Sequence, residues 1–244
     1  MGTTRDATAP QTTVGTFLAR AGSLGGRPFL HYPENGGWGC LTWAEARERV
    51  LRVAAALVAE GVRPGDRVVG AAQLSGESSE LVFITSDAQL LRFPASSVRP
   101  QGRAAGGMAG VRLSSGASVV WFGAVDAAAA AGVPVGPPGS YSPAVVVTVA
   151  GSAGALPGTA GRSVKVTPLH EFPGKGRATG GVRCHRFLKG EDVLVLAWAG
   201  AAPAVGATDS GSPVDLPDPV GKRDGSGVSL RRQLAVLGGS GRVP

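Results

Sequence analysis

The hexapeptide Gly102-Arg103-Ala104-Ala105-Gly106-Gly107 returns as Gly176-Arg177-Ala178-Thr179-Gly180-Gly181, 74 positions later. Around each copy the chain has the same plan. In the first, apolar runs at 81–85 and 90–94 precede the hexapeptide, and runs at 108–113 and 118–125 follow it. In the second, the runs are 144–151, 163–169, 182–188 and 192–200. Each run is short, rich in Val, Leu and aromatic residues, and bounded by Gly, Pro or Ser, so each reads as a strand. Pro94 ends a strand, where no ladder donor is needed. A four-stranded unit of this size cannot bury both of its faces alone. Two in tandem therefore predict propeller-like blades stacked around an axis, with a basic glycine-rich loop in the same slot of each. The fold class expected is mainly β, with two four-stranded blades at 71–125 and 141–200.

Residues 1–70 follow another plan and read as a small α/β segment with one helix at about 42–60. Thr42 is an N-cap and Glu45 stands three residues later, a capping box. Val50, Val53, Ala54 and Leu57 recur at helical spacing. Gly61 stops the helix and Pro64 prevents its return. Residues 27–32 read as a short strand, 34–39 as a turn, and 67–70 as the start of another strand. With 39 Gly and 18 Pro among 244 residues, the chain is turn-dense. Loose order is expected over 1–12 and 126–143, and a flexible tail over 201–244.

The net charge is +7, from 24 Lys and Arg against 17 Asp and Glu. It is unevenly placed. From Arg162 to Lys189 there are seven cations and one anion, Glu171; from Arg92 to Arg112 there are four arginines and no acid. Such a surface suits a polyanion, because neutralising phosphates releases their counterions, and it equally suits a solvated basic face. Two cysteines, Cys40 and Cys184, form no disulfide framework and fit a reducing cytoplasm. The three histidines, His31, His170 and His185, are scattered, so no metal site and no cofactor is expected. No run of 18 apolar residues predicts a membrane span, and the first residues lack the apolar core of a signal peptide.

Taken together, the two units resemble the C-terminal domain of the A subunit of DNA gyrase and topoisomerase IV, a β-pinwheel whose basic rim binds and wraps duplex DNA. The likeness rests on Leu81-Val82-Phe83-Ile84-Thr85, Arg92-Phe93-Pro94 and the first hexapeptide. In the second unit it rests on Val164-Lys165-Val166-Thr167-Pro168 and the second hexapeptide, and it runs from about residue 70 to the end of the chain. Gyrase itself carries a Gln-Arg-Arg-Gly-Gly-Lys-Gly box. Residues 101–107 keep Gln101, Arg103 and Gly107 but lack one Arg and the Lys, which implies plain DNA binding rather than strong wrapping. The resemblance implies duplex DNA as partner, contacted through its backbone almost without sequence preference. The A and B subunits of a topoisomerase are the implied protein partners, and a bacterial cytoplasm at the nucleoid the implied location. Residues 14–69 resemble the N-terminal edge of adenylate-forming acyl-CoA synthetases, through Phe17-Leu18, Thr42-Trp43-Ala44-Glu45 and Gly61-Val62-Arg63-Pro64-Gly65-Asp66-Arg67-Val68.

The candidate DNA contacts are Arg99, Gln101, Arg103, Gly107, Lys175, Arg177, Gly181 and Arg183. Glycines let a backbone approach phosphates closely, and guanidinium groups fork onto phosphate oxygens. Trp121 and Trp198, at matching fourth-strand positions, read as blade core rather than stacking platforms. No catalytic residue is expected. Tyr32 and Tyr141 lack the arginine neighbour that strand cleavage requires. The four lysines, Lys165, Lys175, Lys189 and Lys222, end no phosphate loop of the kind adenylation requires. A truncated adenylate-forming ligase and a nonfunctional fusion product are the alternative readings.

Overall fold

The computed structural model describes residues 13–34, 37–59, 62–63, 67–72, 74, 78–101, 107–133, 142–156 and 161–239. The chain divides into two units: one of Met1–Asp66 with Gln101–Gly107, the other of Arg67–Pro100 with Met108–Pro244.

In the first unit, helix α1 (Thr13–Leu24) precedes a hairpin of β1 (Pro28–Glu34) and β2 (Gly37–Thr42), which leads into helix α2 (Trp43–Ala59). The capping box forms as expected. The Thr42 amide donates to Glu45 Oε2 at 2.8 Å, and the Glu45 amide donates to Thr42 Oγ1 at 3.3 Å. The Thr42 backbone hydrogen bond is the main cause holding the Glu45 carboxyl below its ordinary value. Phe17, Phe29 and Trp43 cluster with ring centroids 4.5 to 5.8 Å apart. The helical stripe is not covered as its spacing predicts, for Val50 and Val53 are 44% and 60% exposed. One short helix and a two-stranded hairpin supply too little surface to bury it. Helix α1 is an element that the apolar spacing of the sequence did not announce.

The second unit is mainly β. Its first blade has β3 (Ser79–Thr85), β4 (Gln89–Pro94) and β5 (Val119–Asp126), and its second has β6 (Ala144–Gly151), β7 (Gly161–Pro168) and β9 (Val193–Ala201). The short β8 (Val182–Arg183) lies between β7 and β9 in the chain, yet it pairs with β4, so the first blade reads β5-β3-β4-β8. Likewise β12 (Val228–Ser229) leaves the tail to pair with β7, and the second blade reads β9-β6-β7-β12. All these pairings are antiparallel. Each blade's outermost strand is thus supplied by the chain that follows it.

This exchange corrects the expected strands at 108–113 and 182–188. The edge of β4 that 108–113 would occupy is taken by β8. Residues 108–113 have the repeat register of β8 but no earlier blade among the described residues to join, so they run outside any strand ladder. Residues 67–70 are likewise no strand; Gly70 lies against Phe122, where an added Cβ would stand 3.0 Å from the Phe122 carbonyl oxygen.

Strand β6, Ala-Val-Val-Val-Thr-Val-Ala-Gly, is buried at every position. A run without polar alternation belongs to a strand covered on both faces. One cover is the first blade: Val82, Ile84 and Leu90 meet Val146, Ala150, Leu194, Leu169, Phe172 and Cys184 in a common core. The other is the tail, which was expected to be flexible. There β10 (Ala204–Ala207) pairs with β11 (Pro213–Val214) and β13 (Val236–Gly239). Leu234, with Val214, Leu216, Leu230 and Leu237, closes over Val145, Val147, Val149, Val164 and Val166. The stretch 126–143 also holds order over its described part. Asp126 Oδ1 accepts from the amides of Ala128 and Ala129 and starts helix α3 (Ala127–Ala131), which Gly132 ends at φ +71°.

Trp121 joins the core between the blades and Trp198 the core beneath the tail, each indole lying over the glycine two residues on, Gly123 and Gly200. They are not strictly matched in register: Trp121 faces Ile84, whose counterpart Val149 faces Leu196, whereas Trp198 faces Val147.

Candidate nucleic-acid interface

The loop after β7 begins with a 3-10 turn (Leu169–Glu171) and runs through Lys175 and Arg177 to Gly181. Its backbone is tied down at several points. The Lys175 amide donates to the Arg92 carbonyl at 3.0 Å, and the Ala178 amide to the Gly110 carbonyl at 2.8 Å. The Arg112 amide donates to the Thr179 carbonyl at 3.1 Å. Thr179 Oγ1 closes the turn onto the Gly176 carbonyl at 2.6 Å. Ala178 sits at φ +61°, a left-handed conformation that a non-glycine residue adopts only under constraint.

Gly181 is required by space. An added Cβ would stand 2.5 Å from the Leu90 carbonyl oxygen, because β8 presses directly against β4. Glycine at the end of the hexapeptide is thus a packing requirement, and only indirectly an aid to phosphate approach.

The cations divide by what holds them. Arg177 is half-buried, and its Nη1 donates to the Ala109 carbonyl at 2.6 Å. That bond uses one of five donors and fixes the guanidinium in place. Lys175 is exposed, with Nζ 3.1 Å from the Gly180 carbonyl. Arg183, on β8, is exposed, as are Arg112 and Arg186. The structure therefore gathers Lys175, Arg177, Gly181 and Arg183 on one loop and strand. Arg99 is exposed in the chain after the first blade's 3-10 turn (Ala95–Ser97). Gln101 and Gly107 group with the other unit, Gln101 exposed and Gly107 at φ +75°. Arg103 lies outside the described residues. Arg92 serves the fold: its Nε donates to the Phe172 carbonyl at 2.7 Å and its Nη1 to the Ala130 carbonyl at 3.2 Å.

A third loop of the same kind occurs at 222–227, Lys-Arg-Asp-Gly-Ser-Gly, and a search for the hexapeptide misses it. Its position is set by geometry. A Cβ added at Gly227 would stand 2.8 Å from the Val164 carbonyl oxygen, as one at Gly181 would crowd that of Leu90, and the strand after it, β12, takes the place of β8. The Arg186 amide donates to the Gly225 carbonyl at 2.9 Å, repeating the bond from Arg112 to Thr179. Arg223 thus corresponds to Arg177, 46 positions on. The cation-x-x-x-Gly spacing and the Val after the final glycine were legible, but a change of interval from 74 to 46 residues hides them from a fixed period.

Beneath the third loop lies a buried polar cluster. The Gly227 amide donates to His185 Nε2 at 3.2 Å, so that nitrogen is an acceptor, and Nδ1 carries the proton toward Thr148 Oγ1 at 2.9 Å. Burial first, then the Lys165 charge, push His185 down to about 4. Burial pushes the Cys184 thiol up to about 12. Lys165, counted among the surface cations from sequence, is only 2% exposed. Its Nζ donates to the carbonyls of Lys222 at 3.4 Å, Gly225 at 3.1 Å and Arg223. Among the described residues no group of three or more His, Cys, Asp and Glu could hold a metal ion, and no helix is long and apolar enough to cross a membrane.

Two antiparallel four-stranded blades with exchanged outer strands define a β-pinwheel type of module. Residues 79–126 and 158–196 match the family model "DNA gyrase C-terminal domain, beta-propeller". Over 121 residues the chain is 33% identical to the topoisomerase subunit TopoM of Mycolicibacterium smegmatis (strain ATCC 700084 / mc(2)155), a match covering 50% of this chain and 14% of that protein. It is similar in fold to the E. coli ParC C-terminal domain, with a TM-score of 0.50 at 14% identity, over 75% of this chain and 69% of that one. A C-terminal domain of DNA topoisomerase IV aligns with a TM-score of 0.47 at 17% identity, over 68% and 51%. The blades thus resemble that family's β-propeller in sequence and fold; the AMP-binding resemblance of residues 14–69 has no counterpart among these matches.

Proposed function

We propose that this chain is a noncatalytic module that grips the backbone of duplex DNA as part of a type IIA topoisomerase, in a bacterial cytoplasm at the nucleoid. The observation that carries this reading is the recurrence of one basic loop on successive blades, clamped by the same amide-to-carbonyl bond, Arg112 to Thr179 and Arg186 to Gly225. A repeated clamp holds the backbone that carries Lys175 and Arg177, and then the backbone that carries Lys222 and Arg223. Fixed cations suit a polymer with a repeating charge better than a single small anion. No recognition helix among the described residues offers side chains to base edges, so affinity comes from phosphates, and with about six contacts it falls steeply with salt. Arg99, Gln101, Arg103 and Gly107 complete the proposed contact set. The A and B subunits of the topoisomerase are the proposed protein partners, with cleavage and ATP hydrolysis supplied by them.

The test is a filter-binding titration of the full chain against a random-sequence duplex at two salt concentrations. Retention at low salt, lost steeply at higher salt and indifferent to base sequence, is expected. Absence of retention at low salt removes the reading.

Residues 14–69 we read as an acyl-CoA-synthetase-like fragment without chemistry of its own, on the strength of its capping box and the motif around Gly61. Incubation with ATP, labelled pyrophosphate and mixed fatty acids is expected to give no exchange; any exchange would favour the ligase reading.

A further inference from the structure

We propose that Lys165 is a positioning residue that holds the third basic loop, residues 222–227, in the shape in which Lys222 and Arg223 meet a polyanion. This rests on the DNA-backbone reading above.

The repeat makes Lys165 conspicuous. Pro94 and Pro168 close the second strands of the two blades, so Lys165 stands where the first blade has Leu91. Leu91 is buried among Leu81, Phe93 and Ala95. At the same register the second blade buries an amine, and a buried amine survives only with partners. No carboxylate lies within ion-pair distance of it among the described residues. Its partners are three carbonyls of a single loop, those of Lys222, Arg223 and Gly225. Beyond the amide-to-carbonyl clamp that the two loops share, the preceding loop is tied by the Arg177 side chain on Ala109 and the Lys175 side chain on Gly180. In the third loop the tie comes from below, through Lys165. With its carbonyls drawn inward, the loop leaves Lys222 exposed and Arg223 half-exposed.

A cation that anchors a cationic loop has a consequence for binding. Arg186 and Asp224 are the charged groups facing Lys165; Cys184 and His185 are the titratable ones at its side. Burial lowers Lys165 to about 8, with Asp224 opposing and Arg186 assisting. Cys184 at about 12 and His185 at about 4 do not titrate near that value. An anion laid across Lys222 and Arg223 offsets the positive field and favours protonated Lys165. By reciprocity, protonation of Lys165 favours the anion.

The experiment compares the full chain with Lys165→Met and with Lys222→Ala/Arg223→Ala on a fluorescent random-sequence duplex, across salt and from pH 7 to 9. For the parent chain a severalfold loss of affinity on raising the pH through 8 is expected. Lys165→Met should lower affinity about fivefold at pH 7, flatten the pH profile and reduce the salt slope by one to two contacts of about 0.9 each. The loop double substitution should do the same, and combining the two should add little. Parent-like affinity and slope in Lys165→Met, or a persisting pH dependence, overturns the assignment. Should Lys165→Met fail to fold, the loop variant decides: its pH profile must flatten, and persistence overturns the proposal. If the parent chain binds no duplex, the DNA reading fails separately. Trypsin cleavage after Lys222 and Arg223 then decides for Lys165: faster cutting in Lys165→Met sustains its hold on the loop, and equal rates overturn it.

Discussion

The Gly227 amide points its hydrogen at Nε2 of His185, 3.2 Å away, and so fixes a neutral ring under the last basic loop. Protonating Nε2 would set two donors against each other in a buried place. Burial first, then the Lys165 charge, lower the folded-state pKa to about 4 from 6.5. Between those values the unfolded chain binds a proton that the folded chain does not. Stability therefore falls as pH drops from 6.5 toward 4, by about 3 kcal/mol across the whole window at 1.36 kcal/mol per unit. Urea unfolding at pH 7 and pH 4.5 checks this, and His185→Gln should lose most of the difference.

Gly181→Ala should destabilise the second unit by more than about 2 kcal/mol, because its Cβ would stand 2.5 Å from a backbone oxygen that cannot yield. Gly227→Ala should act similarly against Val164, at 2.8 Å. Gly180→Ala, where nothing lies within 4 Å, serves as the control and should change the melting temperature little. Equal effects at Gly180 and Gly181 would contradict the close approach of β8 to β4.

Arg103→Ala combined with Arg177→Ala should weaken duplex binding and reduce the salt slope by about two contacts of about 0.9 each. Arg177→Lys separates charge from geometry. It keeps the cation but loses the planar fork that bonds to the Ala109 carbonyl, so affinity should fall to a value between those of the parent and Arg177→Ala. Filter binding with each variant measures both effects. An unchanged slope in the double variant would remove these loops from the interface.

The two cysteines should differ sharply toward a thiol reagent. Cys40 is exposed on β2, whereas Cys184 is buried and its thiol is pushed up to about 12. The thiolate is the reactive form, so one equivalent should react rapidly in the native protein and two in denaturant. Two rapid native equivalents would mean that the core between the blades opens readily.

How much of this was legible in the sequence follows from what each feature depends on. The strands β3, β4, β5, β6, β7 and β9 were readable because apolar runs bounded by Gly and Pro are local signals. The exchange of β8 and β12 was not readable. Val182 reads as part of a strand of its own segment and Val228 as part of a flexible tail, and only the competition for the open edges of β4 and β7 sends them to the preceding blade. Lys165 looked like any surface cation, because burial by a loop some 60 residues on leaves no trace in its neighbours. The helix α3 was readable in retrospect, since Asp126, five alanines and Gly132 spell a cap, a helix and a stop. The basic loops were found through their repetition, and the third was missed because the interval shortens.

A flexible tail would be dispensable; this one should not be. Residues 228–229 complete the second blade against β7, Leu234 is buried over Val145, Val147 and Val149, and the carbonyls of Lys222, Arg223 and Gly225 cover Lys165. Ending the chain after Ala201 would expose that apolar face of β6 and β7 and leave an uncovered amine and an open strand edge. Uncovered edges of this kind invite pairing between molecules. The shortened chain should lose its cooperative melt or aggregate on purification, whereas ending it after Gly239 should leave the melt unchanged. Circular dichroism melts of the two, beside the full chain, decide the matter. A stable, monomeric protein ending at Ala201 would mean that the tail strands contribute nothing to the second blade.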